Sequence, residues 1–196
     1  MEAVVKSQLI GNETVLAKQA FAILPETAAD IAAREALLDR AMGSGRRRKS
    51  SEKLRRGRLP SCGLAFTAGD EAGTIVGTVR LWDVNLGEGG RPALLLGPLA
   101  VDPTLKNAGV GKALMLHAIS EARRLGHRAI LLVGDEPYYA RFGFSAEKTG
   151  SLAMPGPYER QRFLALELAD GALGGASGVL KAAGRKAWPA PYRLAA

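Results

Sequence analysis

Some hydrophobic residues recur every three or four positions, as in helices, and others cluster in short apolar runs, as in strands. The chain is therefore predicted to contain both. The clearest helical pattern covers residues 109–125, where one apolar stripe recurs every three or four residues, and Gly126 follows it as a typical helix end. A second stripe begins behind a capping residue, either Thr27 or Asp30. The apolar positions of the two stripes are Val110, Leu114, Ala118, Ala122 and Leu125, and Ile31, Leu37, Leu38 and Met42.

Seven short apolar runs predict strands around these helices. The run ALLLGPLAV at residues 93–101 contains Gly97 and Pro98, and proline cannot donate a ladder hydrogen bond. It predicts either two separate short strands or a single central strand broken by a bulge, which opens a gap beside its neighbour. The predicted strands are residues 21–24, 62–67, 74–84, 93–101, 128–134, 144–147 and 162–168, and short helices are predicted at 51–58 and 138–142.

Length and composition favour one domain. With 196 residues, of which 47% are hydrophobic and 23% charged, the chain is long enough to bury a core and short for two domains. We expect an N-terminal arm at residues 1–18, the domain itself at residues 19–170, and a Gly/Ala-rich tail at residues 171–196.

Several classes of protein are disfavoured by what the chain contains. Cys62 is the single cysteine, so a disulfide framework is excluded, and we expect it to be a small buried strand residue. His117 and His127 are the only histidines, too few for a three-ligand zinc site, and we expect no metal. No apolar run approaches the ~20 residues that span a bilayer. Residues 1–6 also lack the apolar region of a signal peptide, so we expect a cytoplasmic protein without membrane contact.

Positive charge is concentrated in one segment. The net charge is +8, and residues 46–58 read RRRKSSEKLRRGR, with eight basic residues and the single acid Glu52. Such a run is typical of a solvated, mobile surface segment. Contact with nucleic acid is disfavoured, because no aromatic residue is interleaved to stack on bases. Attraction of an acidic acceptor, or of cofactor phosphates, is the third interpretation.

The most informative segment is the loop before the long helix, residues 99–112. A strand ends, Asp102 and Pro103 turn the chain, and a glycine-bearing loop opens into a helix whose first N–H groups lack partners. This arrangement is typical of a phosphate-binding loop. A Walker A loop is excluded because Ala113 stands where Ser or Thr is required, and a dinucleotide fingerprint lacks its third glycine at Leu114. The alternative is a plain helix start that happens to contain glycines.

Two segments together resemble the GCN5-related N-acetyltransferase (GNAT) family. Residues 106–111, KNAGVG, resemble its Gln/Arg-x-x-Gly-x-Gly/Ala loop, with Lys106 where Gln or Arg is usual. Compared with arginine, the lysine keeps the positive charge but cannot donate the two parallel hydrogen bonds of a guanidinium group. Residues 138–144, YYARFGF, resemble the segment in which a tyrosine stands four residues before Gly-Phe. The match covers roughly residues 19–170.

The resemblance implies an α+β fold (a mixed α/β architecture) whose central mixed sheet, flanked by helices, is split into a V between residues 93–101 and 128–134. It also implies that acetyl-coenzyme A is the co-substrate. Its pantetheine arm would bond to the backbone in the V, and its pyrophosphate would lie on the amides of the loop. The implied cofactor-binding residues are Leu99, Ala100 and Val101 in the V, and Lys106, Asn107, Ala108, Gly109, Val110, Gly111 and Lys112 in the loop.

The resemblance assigns one catalytic residue, Tyr139, as the acid that protonates the leaving thiolate. Aromatic packing of a short helix is the alternative role, and it is the one we expect for Tyr138 and Phe142. The family often places a glutamate on the broken strand as the base, and none is present in residues 94–97. The base is therefore open among Asp83, Asp135, Glu35 and an ordered water.

The resulting hypothesis is an acetyl-CoA-dependent N-acetyltransferase that transfers the acetyl group directly to a primary amine, either a small molecule or a peptide. We expect no membrane partner, and a homodimer is among the assemblies that the sequence allows. The alternative is a non-catalytic sensor module that binds acyl-CoA on a GNAT-like fold. The missing strand carboxylate favours that alternative, and the tyrosine opposes it.

Overall fold

In this computed structural model, residues 21–187 are described. The predicted arm at residues 1–18 lies outside them, as does the end of the predicted tail. The strands are β1 (Phe21–Pro25), β2 (Ala65–Asp70), β3 (Ile75–Asn85), β4 (Pro92–Val101), β5 (Ala129–Val133), β6 (Ser151–Ala153), β7 (Phe163–Glu167), β8 (Ser177–Val179) and β9 (Lys181–Ala182). The helices are α1 (Ile31–Met42), α2 (Glu52–Arg55), α3 (Val110–Arg124) and α4 (Glu136–Tyr139).

One mixed sheet organises these elements. Its strand order is β1-β2-β3-β4-β5-β7, and β9 pairs with the far end of β3. The neighbours are antiparallel except for β4 and β5, which are parallel. β6 and β8 form a separate two-stranded sheet. The prediction of a mixed sheet flanked by helices is confirmed.

The sheet opens between its two parallel strands. β4 and β5 pair only through Leu94 with Ile130 and Leu95 with Leu131, although β4 continues to Val101. Since no β5 residue pairs with β4 beyond Leu95, the two strands diverge into a V. The V lies between the two segments that the family resemblance implied.

A bulge in β4 lies where the V begins. The register between β3 and β4 shifts there, because Val79 pairs with Leu99 while Leu81 pairs with Leu96. The indole Nε1 of Trp82 donates a 2.6 Å hydrogen bond to the carbonyl oxygen of Gly97 and holds the bulge. Residues 93–101 therefore form the single bulged strand, and the alternative of two separate strands is wrong.

The long helix packs as its apolar stripe predicts. Leu114 and Ala118 are fully buried against the sheet, with Val110 and Ala122 on the same face. A buried leucine of this kind stabilises the fold by about 1.5–3 kcal/mol. Leu125 is 41% exposed, because the helix ends one residue earlier at Arg124.

Two local predictions are wrong. Residues 144–147 do not form a strand. Only Ser145 bridges to Ala165, and its hydroxyl accepts a hydrogen bond from the N–H of Glu147, which turns the chain. Cys62 is exposed, since it lies in a turn before β2 begins.

The Gly/Ala-rich residues 171–187 take part in the fold. Leu173 and Leu180 are buried in the hydrophobic cluster beneath β3 and β4, and β9 pairs with Val84 and Asn85. The composition did not indicate this packing. The domain boundary at residue 170 stays a prediction. None of the helices in residues 21–187 is long and apolar enough to cross a membrane.

Candidate active site

The loop between β4 and α3 has the backbone of an anion-binding turn. The Asp102 carboxylate accepts hydrogen bonds from the N–H and the hydroxyl of Thr104, at 3.1 and 2.8 Å, and fixes the first turn. Asn107 and Gly109 both have positive φ, of 70° and 82°, before the helix begins at Val110. The buried Val110 anchors the helix start, whose first N–H groups have no acceptor within the helix.

A groove of about 510 Å³ runs along this loop and the edge of β4. Eight of the ten predicted cofactor-binding residues line it, and Ala100 and Ala108 do not. The eight are Leu99, Val101, Lys106, Asn107, Gly109, Val110, Gly111 and Lys112.

The direction of the backbone explains why Leu99 and Val101 line the groove whereas Ala100 does not. The N–H of Asp102 donates to the carbonyl of Val76 on β3, at 2.8 Å. Backbone groups alternate in direction along a strand, so Ala100 also turns toward β3. The N–H and C=O groups of Leu99 and Val101 then point to the other side, where β5 has diverged. These groups are free to bind a chain laid in the V.

Gly111 lets Tyr138 and Val101 pack closely against the helix start. A Cβ added there would be 2.9 Å from the phenol oxygen of Tyr138 and 3.4 Å from Cγ2 of Val101. A hydrogen atom is therefore the largest group that this space accommodates without rearrangement. In the groove beside them, Lys106, Lys112 and the unpartnered amides of the helix start fit a pyrophosphate.

Three residues of the groove were not among the predicted site residues, namely Leu105, Tyr138 and Arg141. Tyr138, expected only to pack, also borders the groove, and its ring lies 4.5 Å beneath the guanidinium of Arg141. Burial raises the pKa of the Tyr138 phenol. The spacing of the two residues, one helical turn apart, was the signal in the sequence that could have identified this pair.

A second, smaller cavity of about 90 Å³ fills the V itself. It is lined by the bulge of β4, by Leu132 and Val133 of β5, and by Tyr139. Burial is the main reason that the pKa of Tyr139 is raised to about 12, with a smaller contribution from the neighbouring Tyr138. The phenol of Tyr139 therefore keeps its proton at any pH at which enzymes normally work.

Gly134 makes room for the Tyr139 ring, because a Cβ at Gly134 would overlap it. We expect Gly134→Ala to lower the free energy of unfolding by about 1–3 kcal/mol, as overpacked sites do. Urea denaturation measures this change. Gly69→Ala is the control, since a Cβ there meets only the Thr74 carbonyl oxygen at 3.9 Å. Equal losses in the two variants would contradict the close contact.

A third cavity, of about 590 Å³, adjoins the V and is strongly basic. Arg46, Arg55 and Pro98 line both cavities. The side chains of Arg46 and Arg55 are only 11% and 10% exposed, so this part of the basic run is not the solvated segment that its composition favoured. The arginines that line the third cavity are Arg34, Arg46, Arg47, Arg55, Arg56 and Arg80.

The carboxylates considered as bases are poorly placed. Burial alone would raise the pKa of Glu35, but hydrogen bonds from Arg46 and Arg34 outweigh it and lower the pKa to about 2. Asp83 and Asp135 are absent from the lining of the V. Among the described residues that line the V, none is a carboxylate.

Comparisons with known proteins agree with this geometry. The family model described as the acetyltransferase (GNAT) family matches residues 32–144. The uncharacterized N-acetyltransferase YhbS of Escherichia coli (strain K12) is 29% identical over 147 residues, which are 75% of this chain and 87% of the relative.

Solved structures show the same likeness. The crystal structure of E. coli YhbS in complex with CoA superposes with a TM-score of 0.72 at 28% identity, over 84% of this chain and 91% of that chain. A GNAT family acetyltransferase from Brucella melitensis in complex with acetyl-CoA gives a TM-score of 0.61 at 22% identity, over 88% and 97%, which shows a shared fold.

Since the family model covers more than half of the chain, the chain belongs to the GNAT acetyltransferase family. The predicted family and fold are thereby confirmed, and so is the predicted class of enzyme, an acyltransferase that uses acetyl-CoA.

Proposed function

We propose that this protein transfers an acetyl group from acetyl-CoA directly to the primary amine of a small molecule or a peptide. The observation that carries the proposal is that the three cavities are adjacent, since each shares lining residues with the next. The loop groove and the V share Leu99, and the V and the basic cavity share Arg46, Arg55 and Pro98. A cofactor held in the first cavity and an acceptor held in the third would meet beside Tyr139.

The groove supplies the contacts of the cofactor. The amides of Val110, Gly111 and Lys112 would hold its pyrophosphate at the positive end of the helix dipole, with the ammonium groups of Lys106 and Lys112 adding charge. The outward backbone groups of Leu99 and Val101 would bond its pantetheine arm. When bound, acetyl-CoA supplies an activated thioester that a neutral amine can attack without a covalent enzyme intermediate.

Tyr139 would hold the proton for the leaving group on its phenol oxygen. A phenol with a pKa of about 12 is a weaker acid than a free one. The same burial also raises the pKa of any thiol formed beside it, which offsets part of this loss of acidity.

The arginines take over part of the role of a base. A positive cavity and partial burial both disfavour an ammonium ion, and they lower its pKa toward neutral pH. The acceptor can then lose its proton to water before it reacts. Transfer would then need no carboxylate in the lining of the V.

Cofactor binding is the first test. At about 100 times its dissociation constant, coenzyme A should stabilise the fold by about 2.7 kcal/mol. For a chain of this size that raises the Tm by about 5–11 °C. ATP and NADH should have clearly smaller effects, because the loop matches neither of their motifs. A larger shift with ATP or NADH, measured by differential scanning fluorimetry, would refute the assignment of the groove.

A non-catalytic acyl-CoA sensor is the second candidate, and the absence of a carboxylate from the lining of the V favours it. Release of thiol from acetyl-CoA, measured against a panel of amines, amino acids and peptides, separates the two. Binding without amine-dependent thiol release would identify the sensor. The expected cytoplasmic location stays a prediction.

A further inference from the structure

Arg55 is a buried cation with hydrogen-bonding capacity to spare. It lies at the end of α2, its side chain is 10% exposed, and its Nη2 pairs with Glu52 at 3.0 Å. Its Nε is fully buried without a hydrogen-bond partner. A buried, unsatisfied donor on a charged group costs free energy, so the protein compensates the charge of Arg55 only in part.

This guanidinium lies at the boundary between the V and the basic cavity. A Cβ placed on Gly97 of the bulge would be 4.0 Å from Nη1 of Arg55. Arg55 lines both the V and the basic cavity. It therefore lies a few ångströms from the bulge, on the side from which an acceptor would enter.

Within residues 21–187, carboxylates do not balance the charge around Arg55. Six arginines line the basic cavity, and only Glu35 and Glu52 line it with them. The Glu35 carboxylate forms salt bridges with three of the arginines, Arg34, Arg46 and Arg47. Two further carboxylates pair with these arginines from outside the lining, Glu26 with Arg34 and Arg80, and Asp39 with Arg46. Four carboxylates for six arginines leave an excess of positive charge.

We propose that the acceptor is a small amine that also carries an anionic group, a carboxylate or a phosphate, and that Arg55, assisted by Arg46, binds this group. The proposal rests on the acetyltransferase function proposed above. Guanidinium groups bind carboxylates and phosphates with charge-assisted hydrogen bonds, and Nη1 of Arg55, beside the bulge, is the nitrogen placed to make one. With its anionic group at Arg55, the amine of such a molecule reaches the bulge and Tyr139. A neutral amine lacks this anchor.

The first arm of the test compares acceptors that differ only in the anionic group. O-phosphoethanolamine is paired with ethanolamine, and β-alanine with its amide, at equal concentrations of neutral amine. We expect kcat/KM to favour the anionic member of at least one pair by tenfold or more. The pair that shows the preference distinguishes phosphate from carboxylate. Equal use of both members in both pairs would overturn the proposal.

The second arm removes the guanidinium. Arg55→Met keeps the length of the side chain, and we expect it to reduce the preference to within about twofold, while the affinity for coenzyme A is retained. Arg55→Lys keeps the charge and restores part of the preference, and it also serves if Arg55→Met does not fold. Arg123→Gln, at an exposed arginine in the last turn of α3, is the control and should retain the full preference. A preference that survives in Arg55→Met would contradict the role of Arg55.

A third arm needs no turnover. With coenzyme A present, inorganic phosphate or succinate should raise the Tm of the wild-type protein saturably, and that of Arg55→Met much less. If coenzyme A binds but neither anion does, and no anionic amine is preferred, the anionic acceptor is excluded while the enzyme assignment stands. If coenzyme A itself fails to bind, the proposed function fails.

Discussion

Replacing Tyr139 with phenylalanine is expected to lower turnover about 100-fold, within the usual range for loss of a general acid. The substitution removes one oxygen and keeps the ring, which packs against Phe144 with centroids 6.1 Å apart. The fold and the KM for acetyl-CoA should therefore change little. Steady-state kinetics with an accepted amine, together with a coenzyme A titration, measure the two effects separately.

The other tyrosines provide controls for this variant. Tyr158 packs against Phe163, away from the three cavities, so Tyr158→Phe should leave both kcat and KM unchanged. Tyr138 borders the cofactor groove, so Tyr138→Phe should raise the KM for acetyl-CoA and leave kcat nearly intact. A larger loss of kcat in Tyr138→Phe than in Tyr139→Phe would show that the acid has been assigned to the wrong residue.

The pH profile gives an independent check on Tyr139. Its pKa is raised to about 12, so the phenol is protonated, and able to donate, throughout the range below about pH 11. Tyr139 should therefore produce no decline in kcat between pH 6 and 10, and any rise with pH in that range belongs to deprotonation of the acceptor. A basic limb near pH 9 that disappears in Tyr139→Phe would contradict this assignment.

Much of this site could be predicted because its chemistry is encoded in contiguous residues. The loop before α3 combines Asp102, Gly109 and Gly111 within ten residues, and backbone geometry there depends on local conformation. The bulge of β4 was similarly visible in Gly97 and Pro98. The single-strand interpretation proved correct because the Trp82 indole holds the carbonyl of Gly97, a contact across two strands.

The parts that could not be predicted depend on contacts between distant residues. Arg46 was part of an apparently solvated basic run, yet it pairs with Glu35 and Asp39 of α1 and is largely buried. Composition alone does not distinguish an arginine that is paired in this way from one in solvent. The burial of Leu180 was also not predictable, because it depends on packing against distant residues and not on a local hydrophobic period.

Replacing Gly111 with valine is expected to weaken coenzyme A binding at least 100-fold while the protein remains folded. Gly111 is within α3, where the backbone accepts any L-residue, so the substitution carries no penalty of positive φ. The added side chain would meet the Tyr138 phenol and Val101, and we expect their displacement into the groove to obstruct the amides of the helix start. Loss of two charge-assisted hydrogen bonds, at about 1.5–3 kcal/mol each, accounts for the size of the effect.

The control for Gly111→Val must separate this steric effect from the low helix propensity of valine. Ser120→Val places the same side chain at an exposed position of α3, where it costs only a few tenths of a kcal/mol. Isothermal titration with coenzyme A should therefore show unchanged affinity in Ser120→Val, and circular dichroism should show that both variants are folded. Gly111→Ala should fall between them, since its single methyl group can be accommodated if Tyr138 rotates. Wild-type affinity in a folded Gly111→Val variant would mean that the pyrophosphate binds elsewhere than on the first amides of α3.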